Sequence, residues 1–324
     1  MEKVKKFVKT KTIWVVLIAF FILASILSKN FLTWDNIKSV LMTESIIGIL
    51  ATGIMWCILS KGTDLSAGSM VALASCVMAS LAQNPTYSSK MFPNLNLPVF
   101  VGIIITLLVG VLVGAFNGFC VAYLKVPAFI ATLGTQLICR SAAQLYTNAY
   151  PVPELLPELK FLGQGMIFGF FPLLVLIFAV VLAISAFMLN MTRFGKNIYA
   201  IGGNDQAARV AGINVEFNTM FVFIFSSACA ALGGILLAAR SGVGNCAFGQ
   251  SYELDAIAAA TVGGTSQAGG VATVSGVIAG VLILGIVKNI MLLIGINAYW
   301  QNIVKGAIII FAVVLDMRKN AKKN

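Results

Sequence analysis

The chain has 324 residues, of which 59% are hydrophobic and 10% charged, with no histidine and a formal net charge of +11. This composition lies far from the globular balance and makes the bilayer the solvent; at roughly 20 apolar residues per helical crossing it leaves room for about ten spans and no separate soluble domain. The missing histidine removes the usual general base and the commonest metal ligand, and the positive charge forms no basic face with interleaved aromatics of the kind nucleic acids require.

Much of that charge sits at the two ends. Lys3, Lys5, Lys6, Lys9 and Lys11 outnumber Glu2 at the start, and Arg318, Lys319, Lys322 and Lys323 close the chain. The first apolar run, 13 to 28, follows the lysines with no small-residue cleavage site behind it, which predicts an uncleaved span. Further apolar runs fall at 45 to 60, 68 to 82, 98 to 123, 127 to 147, 166 to 189, 217 to 239, 272 to 294 and 298 to 315. That makes nine. The positive-inside rule puts both termini in the cytoplasm, and an even number of crossings is then required. The weaker segment 253 to 267 supplies the tenth, as a short or broken span, and the proline-bearing stretches 83 to 97 and 148 to 165 face outside.

Several interruptions carry information. Lys61-Gly62-Thr63-Asp64-Leu65-Ser66-Ala67-Gly68-Ser69 separates two apolar runs, and Gly264-Thr265-Ser266-Gln267-Ala268-Gly269-Gly270 resembles it, hinting at an internal repeat. Transporters use such breaks to bring freed backbone groups to a substrate. A simple turn in which Asp64 caps the next helix fits equally well. Glycines at 110, 114 and 118, then at 276 and 280, follow the four-residue spacing of close helix packing. Asn117 and Gln136 lie in nearby spans, with interhelical hydrogen bonding the default role and a place on a substrate path the alternative. Glu44, Arg140, Lys288 and Lys305 interrupt apolar runs, where each charge costs roughly 2.5 to 3.5 kcal/mol unless paired or wetted. Glu44 has a plausible partner in Arg140 or in a lysine.

From 190 to 218 the oily chain turns polar. Asn204 or Asp205 is placed to cap a short helix, Gln206 to Ala211 are mostly good helix formers, and Gly212 suits a left-handed C-terminal position. Arg193, Lys196 and Arg209 make this loop cytoplasmic. Ala207 and Ala208 give the expected helix a small-residue face for a groove on a partner. Cys57, Cys76, Cys120, Cys139, Cys229 and Cys246 show no metal or redox spacing. No Gly-x-x-x-x-Gly-Lys-Ser/Thr loop occurs, so the chain is not its own ATP motor.

Together, Gly62 to Gly68, Pro127-Ala128-Phe129-Ile130-Ala131-Thr132-Leu133-Gly134-Thr135, the loop 192 to 215, Tyr252-Glu253-Leu254-Asp255-Ala256-Ile257-Ala258-Ala259, and Tyr299-Trp300-Gln301 with Val304-Lys305-Gly306-Ala307 resemble the permease subunits of bacterial monosaccharide ABC importers. The resemblance covers nearly the whole chain, and the wording is most similar to permeases for galactose and methyl galactosides, with ribose and xylose next. It implies an all-α polytopic protein of about ten transmembrane helices, some interrupted, forming a single permease domain over 1–324 in a bacterial inner membrane. It also implies a cytoplasmic ABC ATPase, an extracytoplasmic sugar-binding protein, a second permease chain and a monosaccharide substrate, with no cofactor, metal or catalytic residue in the chain. The family's coupling motif, Glu-Ala-Ala with a later Gly, falls on Gln206, Ala207, Ala208 and Gly212. Gln206 departs from the motif's Glu, with Asp205 just before it. Sugars are recognised by planar polar groups and aromatic faces, so Asp64, Asn117, Gln136, Trp300 and Gln301 are the expected pathway residues. An ATP-independent carrier or channel is the alternative from a different class.

Overall fold

The structure is a computed structural model that describes residues 12–321. Among the described residues it is all-α apart from one small hairpin. The helices are α1 (Thr12–Leu27), α2 (Trp34–Leu59), α3 (Ala67–Leu81), α4 (Val99–Ala122), α5 (Ala128–Thr147), α6 (Pro157–Gln164), α7 (Leu173–Met191), α8 (Arg193–Gly203), α9 (Asp205–Val210), α10 (Val215–Ser241), α11 (Tyr252–Val262), α12 (Val274–Leu293) and α13 (Ala298–Ala321). Strands β1 (Met166–Ile167) and β2 (Phe171–Pro172) pair antiparallel between α6 and α7. The terminal lysine clusters, apart from Arg318 and Lys319, lie outside the described residues.

Six helices, α2, α4, α7, α10, α12 and most of α13, are long and apolar enough to cross a membrane, and α1 and α3 are apolar but shorter. With α5, each apolar run of the sequence has its helix, although the run 166 to 189 begins in the hairpin. The segment expected to provide a weak tenth crossing is α11, whose 11 residues reach only about 16 Å at a rise of ~1.5 Å per residue. Such a helix spans roughly half of a ~30 Å hydrocarbon core. The loop 242–251 leads into this helix. It runs from Gly244, bridged to Val152, down α3 to Gly249, which abuts the carbonyl of Gly68 with φ +68°.

Two boundaries differ from the sequence reading. Helix α2 starts at Trp34, well before 45, because its polar first turns are tied down: Asp35 pairs with Lys38 at 3.3 Å, and Asn36 and Asn289 exchange amide hydrogen bonds at 3.0 and 2.8 Å. A hydropathy scan stops at such residues although the helix does not. Helix α7 starts at Leu173, not 166, because Phe168 and Gly169 both adopt positive φ, 54° and 78°, the geometry of a tight hairpin turn.

Helix α10 is the hub. It packs against α2, α3, α4 and α6, and its approach to α4 uses the glycines read from the sequence. A Cβ at Gly110 would lie 2.6 Å from Ala231 Cβ, one at Gly114 2.6 Å from Ile224 Cα, and one at Gly118 2.7 Å from Met220 Cα. Gly276 and Gly280 of α12 likewise abut the carbonyls of Gly263 and Ala259 in and after α11. The α2–α10 contact runs antiparallel, with Cys57 beside Val222 and Leu50 beside Gly233.

Helices α2 to α5 contain 26, 15, 24 and 20 residues, and α10 to α13 contain 27, 11, 20 and 24. Both quartets read long, short, long, long, with their first members antiparallel. In this order the counterpart of the break at 60–66 is the loop 242–251, and the break at 263–270 follows the short helix. The two similar sequence breaks instead touch each other, through Gly270 N donating to Leu59 O at 2.9 Å.

Replacing Gly114 by Leu is expected to wedge α4 from α10 and cost at least about 1–3 kcal/mol, the usual penalty of overpacking. Gly134→Leu, where an added Cβ meets nothing within 4 Å, should leave stability nearly unchanged. Thermal midpoints of the two purified variants check this contrast.

Candidate functional site

The polar loop forms two helices in place of the single short one expected. Thr192 caps α8 by accepting from Gly195 N at 3.2 Å, and the helix is fastened to the bundle on several sides. Phe194 stacks on Trp56 with centroids 5.5 Å apart, Tyr199 donates to Ala272 O at 2.7 Å, and Gly202 is pressed against the carbonyl of Leu59. Asn204 then caps α9, accepting from Ala207 N at 3.0 Å. Gly212, at φ +81°, turns the chain so that Ile213 N donates to Ala208 O at 3.0 Å. Gly212 stands at the expected stop, and of the two caps weighed, Asn204 and Asp205, the helix uses Asn204.

The face of α9 is different from the one expected. Ala208 is only 4% exposed and joins the main hydrophobic core, so it anchors α9 to its own chain and is not part of a free docking face. Asp205, Gln206, Ala207 and Gly212 are exposed, and Val210 is 92% exposed. Six residues make fewer than two turns, so one flank must face inward; periodicity over so short a stretch does not say which. The knob is further clamped by Glu216 at the start of α10. Its Oε1 accepts from Arg209 Nη1 at 2.6 Å and from Lys125 Nζ at 2.8 Å, joining α9, α10 and the α4–α5 turn.

Within the bundle the polar residues sort into three groups. In the first, Asp64 is fully buried: Oδ1 accepts from Ser66 N at 2.9 Å and Ser66 Oγ at 2.6 Å, and Oδ2 accepts from Ser226 Oγ at 2.7 Å. Asn117 donates to Ser66 Oγ at 3.0 Å and accepts from Thr135 at 2.6 Å. The network ties α3, α4, α5 and α10 together, the interhelical role weighed for Asn117; Asp64 does not cap α3, whose N-cap is Ser66, but binds Ser66 in the turn before it.

In the second group, Arg140 donates to Cys246 O at 2.7 Å, Phe248 O at 2.5 Å and Gly68 O at 3.4 Å. It supports the descending loop before α11 and is not paired with Glu44. Gln136 reaches Glu253 Oε1 at 3.3 Å, and Glu253, 6% exposed, packs on Gly68 with its Oε2 unpartnered among the described residues. Sequence reading missed Glu253 because it lay in the segment too weak to stand as a regular span.

The third group lines a cavity between α2, α11, α12 and α13. Glu44, Asp255, Lys288, Gln301, Asn302 and Lys305 bring polar groups to it, and Ile47, Leu284, Val287 and Met291 are among its apolar walls. Lys305 Nζ pairs with Asp255 Oδ1 at 2.8 Å. Among the pathway residues expected from sequence, Gln301 lines this cavity; Trp300 is 60% exposed on the surface of α13 and does not line it. Asp64, Asn117 and Gln136 belong to the other two groups, so the five residues do not converge on one site.

Comparison with known proteins gives this architecture a context. A family described as the branched-chain amino acid transport system / permease component matches residues 36–313. The chain belongs to this family. Like other members it is a transport subunit and not an enzyme. It is 41% identical to the galactose/methyl galactoside import permease protein MglC of Escherichia coli (strain K12), over 98% of this chain and 96% of that protein. Identity is 35% with the ribose import permease protein RbsC of Haemophilus influenzae (99% and 97% covered) and 33% with the xylose transport system permease protein XylH of the same organism (95% of each). No solved structure gives a significant match.

The buried network of this permease makes a matched pair of variants informative. Ser226→Ala strands Asp64 Oδ2 and should cost about 1–3 kcal/mol, the desolvation penalty of an unsatisfied buried group. Ser227→Ala removes a neighbouring hydroxyl that has no partner among the described residues and should be neutral or slightly stabilising. Thermal unfolding of the two purified variants reads the difference directly.

Proposed function

We propose that this chain is the membrane permease of an ABC importer that carries galactose or methyl galactosides into the cytoplasm. The observation that carries this reading is 41% identity over nearly the full length of both chains to a permease for those sugars, against 35% and 33% for ribose and xylose permeases. Inner-membrane placement with both termini cytoplasmic follows from the positive-inside rule applied to the lysine clusters. A cytoplasmic ATPase supplies the energy, an extracytoplasmic sugar-binding protein delivers the substrate, and a second copy of the chain completes the pore.

Uptake of radiolabelled sugars in a strain lacking the chain, restored by its expression, tests the substrate. Galactose and methyl galactoside are expected to compete with one another for entry. Competition by ribose or xylose but not by hexoses would move the substrate to the pentoses, and uptake that persists without any ATPase would favour an ATP-independent carrier.

In this reading α9 transmits the ATPase stroke, with Asp205, Gln206, Ala207 and Val210 at the contact and Ala208 and Gly212 holding its shape. The clamp at Glu216 supports this role, since it links the knob to α10, the hub of the bundle. Exposed ion pairs contribute only ~0–1 kcal/mol each to stability, so their value lies in orienting α9. Val210→Glu and Ala207→Glu alter only exposed positions. Each is expected to leave the amount of folded protein unchanged while lowering ATPase copurification and sugar uptake at least tenfold. Normal uptake in both variants would remove α9 from the coupling path. Ala208→Glu is unsuited to this test because it buries a charge in the core.

A further inference from the structure

The cavity between α2, α11, α12 and α13 holds two charged side chains with no bonded partner among the described residues. Glu44 is 6% exposed, and among the described residues neither Glu44 nor Lys288 has a hydrogen-bond or ion-pair partner, although both line the same space. Gly285 makes room for Glu44, since an added Cβ there would collide with its side chain. A charge within a membrane span is expensive unless paired or wetted. A carboxylate and an ammonium that face one cavity without meeting therefore favour an occupant able to serve both.

The chemistry of the walls narrows that occupant. Two carboxylates, Glu44 and Asp255, balance two ammonium groups, Lys288 and Lys305, so a neutral ligand leaves the site electrically balanced whereas an ion would not. Gln301 and Asn302 add amides that can both donate and accept. Ile47, Leu284, Val287 and Met291 offer an apolar surface. A polyhydroxylated ring fits all of these: one hydroxyl donates to Glu44, its neighbour accepts from Lys288, and the C–H face lies on the aliphatic wall.

We propose that this cavity is a sugar-binding subsite within the membrane, in which Glu44 and Lys288 bind adjacent hydroxyls and Gln301 and Asn302 complete the polar rim. The proposal rests on the sugar-import reading above and adds a place and residues to it. Lys305 holds α13 to α11 through Asp255 and so shapes the site from the α13 side.

The test compares uptake of galactose and its monodeoxy analogues in cells expressing the complete importer, with the same binding protein and ATPase in every strain. The variants are Glu44→Gln and Lys288→Gln. Each is expected to lower galactose uptake at limiting sugar at least tenfold. At least one deoxy analogue should lose much less, so that the galactose-to-analogue ratio falls several-fold toward one. An unchanged ratio in both variants, whether uptake is normal or falls equally for every sugar, overturns the subsite, because a purely structural role does not discriminate among hydroxyls. Should Glu44→Gln fail to accumulate, Lys288→Gln decides alone, its side chain being exposed and unpaired. A wild-type chain that imports no monosaccharide would overturn the import reading, and the subsite with it.

Discussion

The rest of the bundle depends on how closely α10 can approach its neighbours. In a bilayer no hydrophobic force draws one apolar helix to another, so association rests on dispersion contacts and interhelical hydrogen bonds that need short distances. Gly110, Gly114 and Gly118 provide those distances against Ala231, Ile224 and Met220, and Gly53 does the same from α2 against Ser226. With α10 held there, Ser226 reaches Asp64, and through Ser66 and Asn117 the same contact extends to α4 and α5. Close backbone approach thus precedes the polar network, which without it would leave a carboxylate in hydrocarbon.

The intramembrane charges show three ways of meeting the same cost. Asp64 accepts three hydrogen bonds, and Arg140 spends its donors on carbonyls of an irregular segment that would otherwise expose them. Irregular backbone at membrane depth is tolerated where protein satisfies it in this way. Lys305 and Asp255 pair directly. Glu44 and Lys288 follow none of these patterns, and they line one cavity together with the Lys305–Asp255 pair.

In the polar loop 190–218, rigidity comes from many small attachments. The aromatic stack of Phe194 on Trp56, the Tyr199–Ala272 hydrogen bond and the Gly202 contact fix α8. Ala208 and the Glu216 clamp then fix α9 to α10. A short helix keeps one orientation only where its base is held, and Val210 is left as its exposed tip.

The sequence by itself determined the solvent, the place of most apolar helices, the glycine seams and the Gly212 stop of α9, and narrowed its cap to Asn204 or Asp205, because each of these is a local property of composition or of spacing along one helix. It also carried the family resemblance. Only the tertiary structure decided that Ala208 faces inward, that Arg140 serves carbonyls and not Glu44, that Glu253 and Gln136 meet, and that Gln301 joins Glu44, Asp255, Lys288 and Lys305 around one cavity. Those pairings join residues far apart in the chain, and a charge in an apolar run announces its cost without naming the group that meets it. The boundaries of α2 and α7 escaped the sequence for a related reason: polar residues that look like loop become helix when a distant partner such as Asn289 satisfies them, and apolar residues that look like span become a turn where Phe168 and Gly169 take positive φ.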